Sequence, residues 1–231
     1  MPSFTDDSET QQAKLIINAA KSAGATHIVH STNISIPRPE EGKNWDPKSV
    51  AAPALEGKQV VEEMVRRAGF TSWTILRPGV FMTNFFTPFV GMMFPDLLTK
   101  GLFVSSYRPD TILPLIDPDT IGAFASSAFL DPSKYGGKEI RLTGDPVKVE
   151  AIVEAMAKAS GKKITASYRS AEESQALAET NPFIAGQLFS LDLYKYIDMA
   201  EVRKWEVKLA TFQDFLDREH VLVAKTFERV N

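Results

Sequence analysis

The chain has 231 residues, of which 44% are hydrophobic and 24% charged, a composition typical of a folded domain around one main core. A formal net charge of −3 provides no basic field for nucleic acid, and the lack of cysteine excludes disulfides, thiolate metal sites and a cysteine nucleophile. The acidic N-terminal segment has no apolar signal-peptide core, and no apolar stretch reaches the roughly 20 residues that a membrane-spanning helix needs. We therefore expect a cytoplasmic protein, with the nucleus as the alternative, that binds neither nucleic acid nor membrane.

Helical and strand patterns alternate through the first part of the chain. Apolar residues at helical spacing and runs of β-branched residues predict a helix over 8–23, a strand over 25–32, a helix over 53–69 and a strand over 72–76. A loop rich in Pro, Asn and Gly separates the first strand from the second helix and runs to about Pro47. Alternation of this kind favours parallel strands joined by crossover helices.

The rest of the chain has a looser pattern that becomes helical toward its end. It predicts a broken helix over 86–100, a strand over 111–117, a helix over 120–130 capped by Asp119, a strand over 139–142, an amphipathic helix ending at Gly161, a strand over 164–169 and a mostly helical part over 170–231. No internal repeat divides the chain.

The segment RPGVFMTNFF, residues 77–86, directly follows the strand predicted at 72–76. A Pro-Gly turn ends the strand and is followed by aromatic residues and one asparagine. These residues either line a pocket at the carboxyl end of the sheet, where ligands bind in open α/β sheets, or seal that end against the C-terminal helices. For any single phenylalanine the second interpretation is favoured.

Several common catalytic and cofactor motifs are absent from the sequence. No glycine-rich turn joins a predicted strand to a following helix, and neither GxSxG nor HExxH occurs. The three histidines, His27, His30 and His220, lie far from any acidic pair, so we predict no metal site. Only His30 lies at the carboxyl end of a predicted strand.

Three stretches taken together are similar to the NmrA-like family, atypical relatives of the short-chain dehydrogenase/reductases that include redox-sensing regulators and NAD(P)H-dependent reductases. They read AKLIINAAKSAGATHIVHSTN, EGKQVVEEMVRRAGFTSWTILRPGVFMTNF and PLIDPDTIGAFASSAFLDPSKYGGKEIRLTG. The resemblance covers residues 8–161, with a weaker similarity in the C-terminal helices. It implies an α/β fold with a Rossmann-type parallel sheet and a smaller, partly helical substrate lobe in a single domain over 1–231, of which 170–231 is the mostly helical part. The family's glycine-rich half has no counterpart here, so we expect an incomplete, N-terminally truncated sheet.

The resemblance also implies roles for individual residues. It places Lys58 near the nicotinamide ribose or in proton transfer, although Lys58 is also positioned to pair with Glu62 on the helix surface. The residues that it implies for cofactor binding are Ser31, Thr32, Asn33, Pro78, Gly79, Val80 and Phe81, and those for the substrate side are Met82, Asn84, Phe85 and Phe86. For Ser31, Thr32 and Asn33, an ordinary turn at the end of a strand is an equal alternative. Ala54 stands where the wider superfamily has its general-acid tyrosine, which argues against a Tyr-Lys hydride-transfer mechanism.

Three functional hypotheses follow from the resemblance and from the missing motif. The first is an oxidoreductase-type protein that uses NADP or NAD on an unknown small molecule and is inactive as this chain alone. The second is a non-catalytic NAD(P)-sensing regulator, and the third is a protein-binding scaffold without nucleotide. In each case the strand at 25–32 is expected to have an open edge that pairs with a second copy or another protein.

Overall fold

The computed structural model describes residues 8–34 and 46–231. Its helices are α1 (Ser8–Ser22), α2 (Ala52–Arg67), α3 (Val90–Met93), α4 (Pro95–Lys100), α5 (Pro118–Leu130), α6 (Pro132–Tyr135), α7 (Val149–Ser160), α8 (Ala171–Ala178), α9 (Pro182–Ser190), α10 (Met199–Arg203), α11 (Phe212–Arg218) and α12 (His220–Thr226). Its strands are β1 (His27–Ser31), β2 (Ser72–Pro78), β3 (Val80–Phe81), β4 (Leu102–Ser105), β5 (Ile112–Ile116), β6 (Lys138–Leu142), β7 (Asp145–Lys148) and β8 (Thr165–Tyr168). No helix within these ranges is long and apolar enough to cross a membrane.

The first sheet consists of β1, β2 and β6, in that order, and all its pairings are parallel. One face of the sheet is covered by α1 and α2 through a cluster that includes Ile17, Val65 and Ile75. The other face is covered by α5, whose Phe124 packs with Leu76 in a second cluster. The predicted alternation of parallel strands and helices is therefore confirmed, and the carboxyl ends of β1 and β2 lie at the same edge of the sheet.

The remaining strands form two smaller sheets, so the predicted single sheet is divided into three. β5 pairs with β3 in parallel and with β7 in antiparallel orientation, while β4 pairs with β8 in parallel. The strands β3, β4 and β7 were not predicted from sequence. They have two to four residues each, too few to show a period. After β8 the chain forms helices and no further strand.

The largest core cluster includes residues of the second and third sheets and is rich in phenylalanine. We call it the aromatic core; its phenylalanines are Phe85, Phe86, Phe94, Phe103, Phe212, Phe215 and Phe227. The ring centroids of Phe94 and Phe103 are 4.4 Å apart, and those of Phe86 and Phe215 are 5.5 Å apart. The aromatic core joins the segment after β2 to α11 and α12.

The N-cap of α5 is not the residue that was predicted. Asp117, and not Asp119, is the N-cap of α5, because its carboxylate accepts a hydrogen bond from the Asp119 N–H at 3.1 Å. The same buried carboxylate is held by Arg218 of α11 through hydrogen bonds of 2.6 and 3.0 Å, and these bonds raise the pKa of the guanidinium. The predicted loop between β1 and α2 lies mostly outside the described residues.

Candidate functional site

The chain segments that leave β1 and β2 remain hydrogen-bonded to each other beyond the strands. The N–H of Thr32 donates to the carbonyl of Leu76 at 2.8 Å, and the N–H of Ile34 donates to the carbonyl of Pro78 at 3.0 Å. Because β1 and β2 are parallel, their carboxyl ends lie at the same edge of the sheet, and these bonds hold the two segments that follow the strands next to each other. Asn33 is thereby placed near the turn that follows β2.

Gly79 forms that turn at a very close approach of two backbones. A Cβ at this position would lie 2.1 Å from the carbonyl oxygen of Pro114 in β5, a distance that no real side chain adopts. The Gly79 N–H also donates to the carbonyl of Leu142 in β6 at 2.9 Å. Glycine is therefore required where the first sheet passes into the second, and the turn itself is fixed in position.

A cavity of about 250 Å³ opens beside this turn. Its walls come from the segment after β1, from α2, from the turn after β2 and from α9, which lies across it. The lining residues are Asn33, Ile34, Ala51, Ala54, Leu55, Lys58, Gly79, Val80, Asn84, Met93, Tyr107, Pro182, Phe183, Gly186, Gln187, Phe189, Ser190 and Leu193. Most of the wall is apolar with a few polar groups, which is the usual character of a small-molecule site.

Lys58 lies on the cavity wall, but its ion-pair partner is not the one predicted. Its Nζ is 2.8 Å from a carboxylate oxygen of Glu9 in α1, and both side chains are partly buried. The expected partner Glu62 is fully buried and is bound instead by Arg66 and Arg77. The predicted Lys58–Glu62 pair is therefore wrong. The contact with Glu9 keeps the ammonium in a defined place beside the cavity.

Some of the other predicted site residues line the cavity, and the rest lie in the protein interior or at the surface. Asn33, Gly79, Val80 and Asn84 line the cavity together with Lys58. Pro78 is buried in β2, Phe81 packs against the cluster around Leu76, and Ser31 is exposed. Thr32 follows β1 with its hydroxyl oxygen buried and without a hydrogen-bond partner.

Met82, Phe85 and Phe86 do not line the cavity. Each is at most 1% exposed, and all three belong to the aromatic core. This is the sealing role that was the alternative for these residues, and it follows from the local backbone. Met82–Phe85 is a 3₁₀-helix, so its side chains do not alternate between two faces as they would in a strand.

Tyr107 and Gln187 were not predicted as site residues, yet both line the cavity. Tyr107 is 5% exposed, and burial raises the pKa of its hydroxyl. Gln187 is 1% exposed and lies in α9. A signal was available for Gln187, because it is a long polar side chain in the middle of the largely apolar helix PFIAGQLFS.

An ion cluster with two buried and two partly exposed side chains underlies the α2 side of the site. Arg77 of β2 contacts Glu62 and Glu139 with N–O distances of 2.6 Å each, and Arg66 contacts the same two carboxylates. Burial alone would raise the pKa of Glu139, but the hydrogen bonds from Arg66 and Arg77 outweigh burial and lower it. The cluster ties α2, which carries Lys58, to β2 and β6.

A second, larger groove of about 550 Å³ lies between residues 46–51 and the helices α8 and α9. It adjoins the cavity through Ala51, Leu55 and Phe189, which line both. Its remaining polar residues include the exposed Lys48 and Glu179. We place the site in the smaller cavity, because that cavity lies at the carboxyl ends of the strands and contains buried polar groups.

Within residues 8–34 and 46–231, no group of three His, Asp or Glu residues is arranged to hold a metal ion.

Comparison with solved structures first defines the class of fold. The chain superposes on the NADPH-dependent quinone oxidoreductase QOR2 of Escherichia coli, solved with NADPH, with a TM-score of 0.63 and 20% identity over 90% of this chain and 70% of that one. It also superposes on NmrA, a negative transcriptional regulator solved with NAD, with a TM-score of 0.55 and 19% identity over 94% of this chain and 69% of that one. The fold is therefore that of Rossmann-like reductases and their relatives.

Sequence comparison then identifies the family. The model of the NmrA-like family matches residues 2–216, so this chain belongs to the NmrA-like family. A relative, the NmrA-like family domain-containing oxidoreductase malD of Malbranchea aurantiaca, is 29% identical over 157 residues. The match covers 64% of this chain and 45% of that protein, so it spans just under half the length of the relative.

Proposed function

We propose that this protein is an oxidoreductase-type member of the NmrA-like family that uses NADPH or NADH on a small, largely apolar molecule. The observation that carries the proposal is the cavity at the carboxyl ends of β1 and β2, where Lys58, Asn33 and Asn84 lie on a largely apolar wall. Similarity to a family of oxidoreductases and to structures solved with NADPH or NAD supports the choice of cofactor.

The residues present fit the nicotinamide end of such a cofactor. A reduced nicotinamide, when bound, supplies the hydride for reduction. The fixed turn at Gly79 and the neighbouring Val80 offer a flat apolar wall for the ring, while Asn33 and Lys58 offer hydrogen-bond donors for the ribose. Ser31, Thr32, Pro78 and Phe81 support the two chain segments that carry this wall. The sequence contains no glycine-rich turn from a strand to a helix, so the proposal concerns the nicotinamide and substrate end of the site.

We expect the chain to bind nucleotide and to oxidise it only slowly. Ala54 lines the cavity one helical turn before Lys58, so no hydroxyl at that position can donate a proton to a reduced substrate. Lys58 is held by Glu9 and is suited to fixing a ligand by hydrogen bonding and charge.

A calorimetric titration with NADPH and with NADH tests the proposal. The wild-type chain should bind one of them with a micromolar dissociation constant, and Lys58→Met should weaken binding by about tenfold, or about 1.4 kcal/mol. Lys225→Met, at an exposed position of α12, is the matched control and should bind like the wild type. No heat with either nucleotide would contradict the proposal.

The second candidate is a regulator that senses NAD(P) without chemistry. It is favoured by Ala54 on the cavity wall and by the structural similarity to NmrA, which is a negative transcriptional regulator. The two candidates differ in one measurement, the oxidation of NADPH followed by absorbance in the presence of carbonyl substrates. Tight nucleotide binding with no oxidation of NADPH above the uncatalysed rate would favour the regulator.

A further inference from the structure

Gln187 has a buried side-chain amide of which only one end is hydrogen-bonded. Its Oε1 accepts a hydrogen bond from the backbone N–H of Ser106 at 2.7 Å. Because an N–H can only donate, this bond fixes which end of the amide is the oxygen. The other end, Nε2, is buried and has no hydrogen-bond partner within the described part of the chain. A glutamine that is 1% exposed thus keeps two N–H donors unused.

Leaving such donors unpaired inside a protein is unfavourable, and buried amides normally have partners. Gln187 is one of the residues that line the cavity beside Gly79, so a molecule in the cavity is the available partner. Tyr107 lines the same cavity, and its buried hydroxyl is a second donor. The neighbouring hydroxyl of Ser106 is also buried without a partner. Gln187 and Tyr107 therefore each offer a hydrogen-bond donor to a molecule in the cavity, whereas Ser106 is not part of its lining.

The charged groups of the cavity lie elsewhere. Lys58 is on α2 and its ammonium is neutralised by Glu9 at 2.8 Å. The wall around Gln187 consists of Pro182, Phe183, Gly186 and Phe189 of its own helix, all without charge. An uncharged acceptor on an apolar ring system suits this environment better than a carboxylate or a phosphate, because an anion would lose its hydration without gaining a cation.

We infer that Gln187 determines ligand specificity by donating a hydrogen bond from Nε2 to a carbonyl oxygen of a small, uncharged, largely apolar ligand, a ketone or a quinone. The inference rests on the proposed function in that it assigns the substrate class of the same cavity. Gln187 is assigned to binding and not to the chemical step.

The test uses a matched pair of probes, the bicyclic ketone tetralone and its carbonyl-free counterpart tetralin. Wild-type protein should bind tetralone at least tenfold more tightly than tetralin, measured by calorimetry or by ligand-observed NMR. In Gln187→Met, which keeps the length of the side chain but has no donor, this preference should fall by about tenfold while tetralin binding is unchanged. Gln187→Glu keeps an oxygen for the Ser106 N–H and should lose the preference as well. Gln213→Met, at an exposed glutamine of α11 whose amide pairs with Asp217, is the control and should keep it.

A direct readout is the side-chain NH₂ signal of Gln187 in nitrogen–proton correlation spectra, assigned by its loss in Gln187→Met. It should shift with tetralone and not with tetralin, which a purely structural role would not produce. A wild-type protein that binds neither probe, or shows no preference for tetralone, or a Gln187→Met variant that keeps the preference, would overturn the inference. Nucleotide titration of the same samples separates the two proposals. Nucleotide binding without the carbonyl preference defeats only the inference, whereas the preference without nucleotide binding defeats only the proposed cofactor.

Discussion

The segment from Arg77 to Phe86 builds two neighbouring regions of opposite character. Met82, Phe85 and Phe86 enter the aromatic core, where apolar side chains are packed against one another on every side. Gly79, Val80 and Asn84 line the cavity, where the Nε2 of Gln187 has no hydrogen-bond partner within the described residues. The core stabilises the protein by burial of apolar surface, whereas the cavity wall leaves polar groups available to a ligand. The difference lets stability and ligand binding be perturbed separately within ten residues.

Phe86→Ala should have the largest effect on the core side of this comparison. Phe86 is fully buried and contacts the rings of Phe212, Phe215 and Phe227 at centroid distances of 6.4, 5.5 and 6.0 Å. We expect a loss of about 4 kcal/mol in the free energy of unfolding, measured by urea denaturation. Asn84→Ala, two residues earlier but on the cavity wall, should cost less than about 1 kcal/mol. Equal losses in both variants would show that the two regions are not separable.

Arg77→Met tests the ion cluster that supports α2. Removing the guanidinium leaves the fully buried Glu62 with Arg66 as its remaining partner, at 2.8 Å. We expect a loss of about 3 kcal/mol in the free energy of unfolding. The double variant with Glu62→Gln should recover part of this loss, since a neutral amide replaces a buried carboxylate that has lost one of its two guanidinium partners. As a control, Arg67→Met removes a solvent-exposed partner of Glu63 and should change stability by less than about 1 kcal/mol.

The first sheet, the aromatic core and the cavity differ in how far they could be predicted from the sequence. The helices α1 and α2 follow from long periodic patterns and the strands β1 and β2 from runs of β-branched residues. The resemblance implied Lys58 and Asn84 as site residues, and both line the cavity, although the roles that it implies for them stay predictions. The orientation of Phe85 and Phe86 was not predictable, because it depends on a four-residue 3₁₀-helix after Gly79. The pairing of Lys58 with Glu9 and the hydrogen bond of Gln187 with Ser106 join distant segments, so no local pattern encodes these two contacts.

A variant at the open edge of the first sheet should have a smaller effect, on the free energy of dimer formation. Within the described residues β1 is hydrogen-bonded to β2 on one side only, which leaves its other edge for pairing with a second copy of the chain, as we propose. Light scattering over a range of concentrations should show a dimer, and Ser31→Lys, which adds a charge to this edge, should weaken it at least tenfold, or about 1.4 kcal/mol. Ser22→Lys, at an exposed position in α1, is the matched control. A monomer at all concentrations would contradict the proposal.

The smallest effect concerns His30, on the side of β1 that faces α2. Burial lowers its pKa from 6.5, the charges of Glu62 and Glu9 oppose this, and that of Lys58 adds to it. Because the unfolded chain binds this proton more readily, the stability due to a neutral His30 is fully present above pH 6.5 and is lost as the pH falls toward the lowered pKa. The contribution of His30 to the change in the free energy of unfolding with pH cannot exceed about 1.4 kcal/mol per pH unit. Urea denaturation between about pH 7.5 and 5.5 should show a flatter profile for His30→Gln than for wild type, while His220→Gln, at an exposed site, should keep the wild-type slope. If both variants follow the wild type, another group causes the pH dependence.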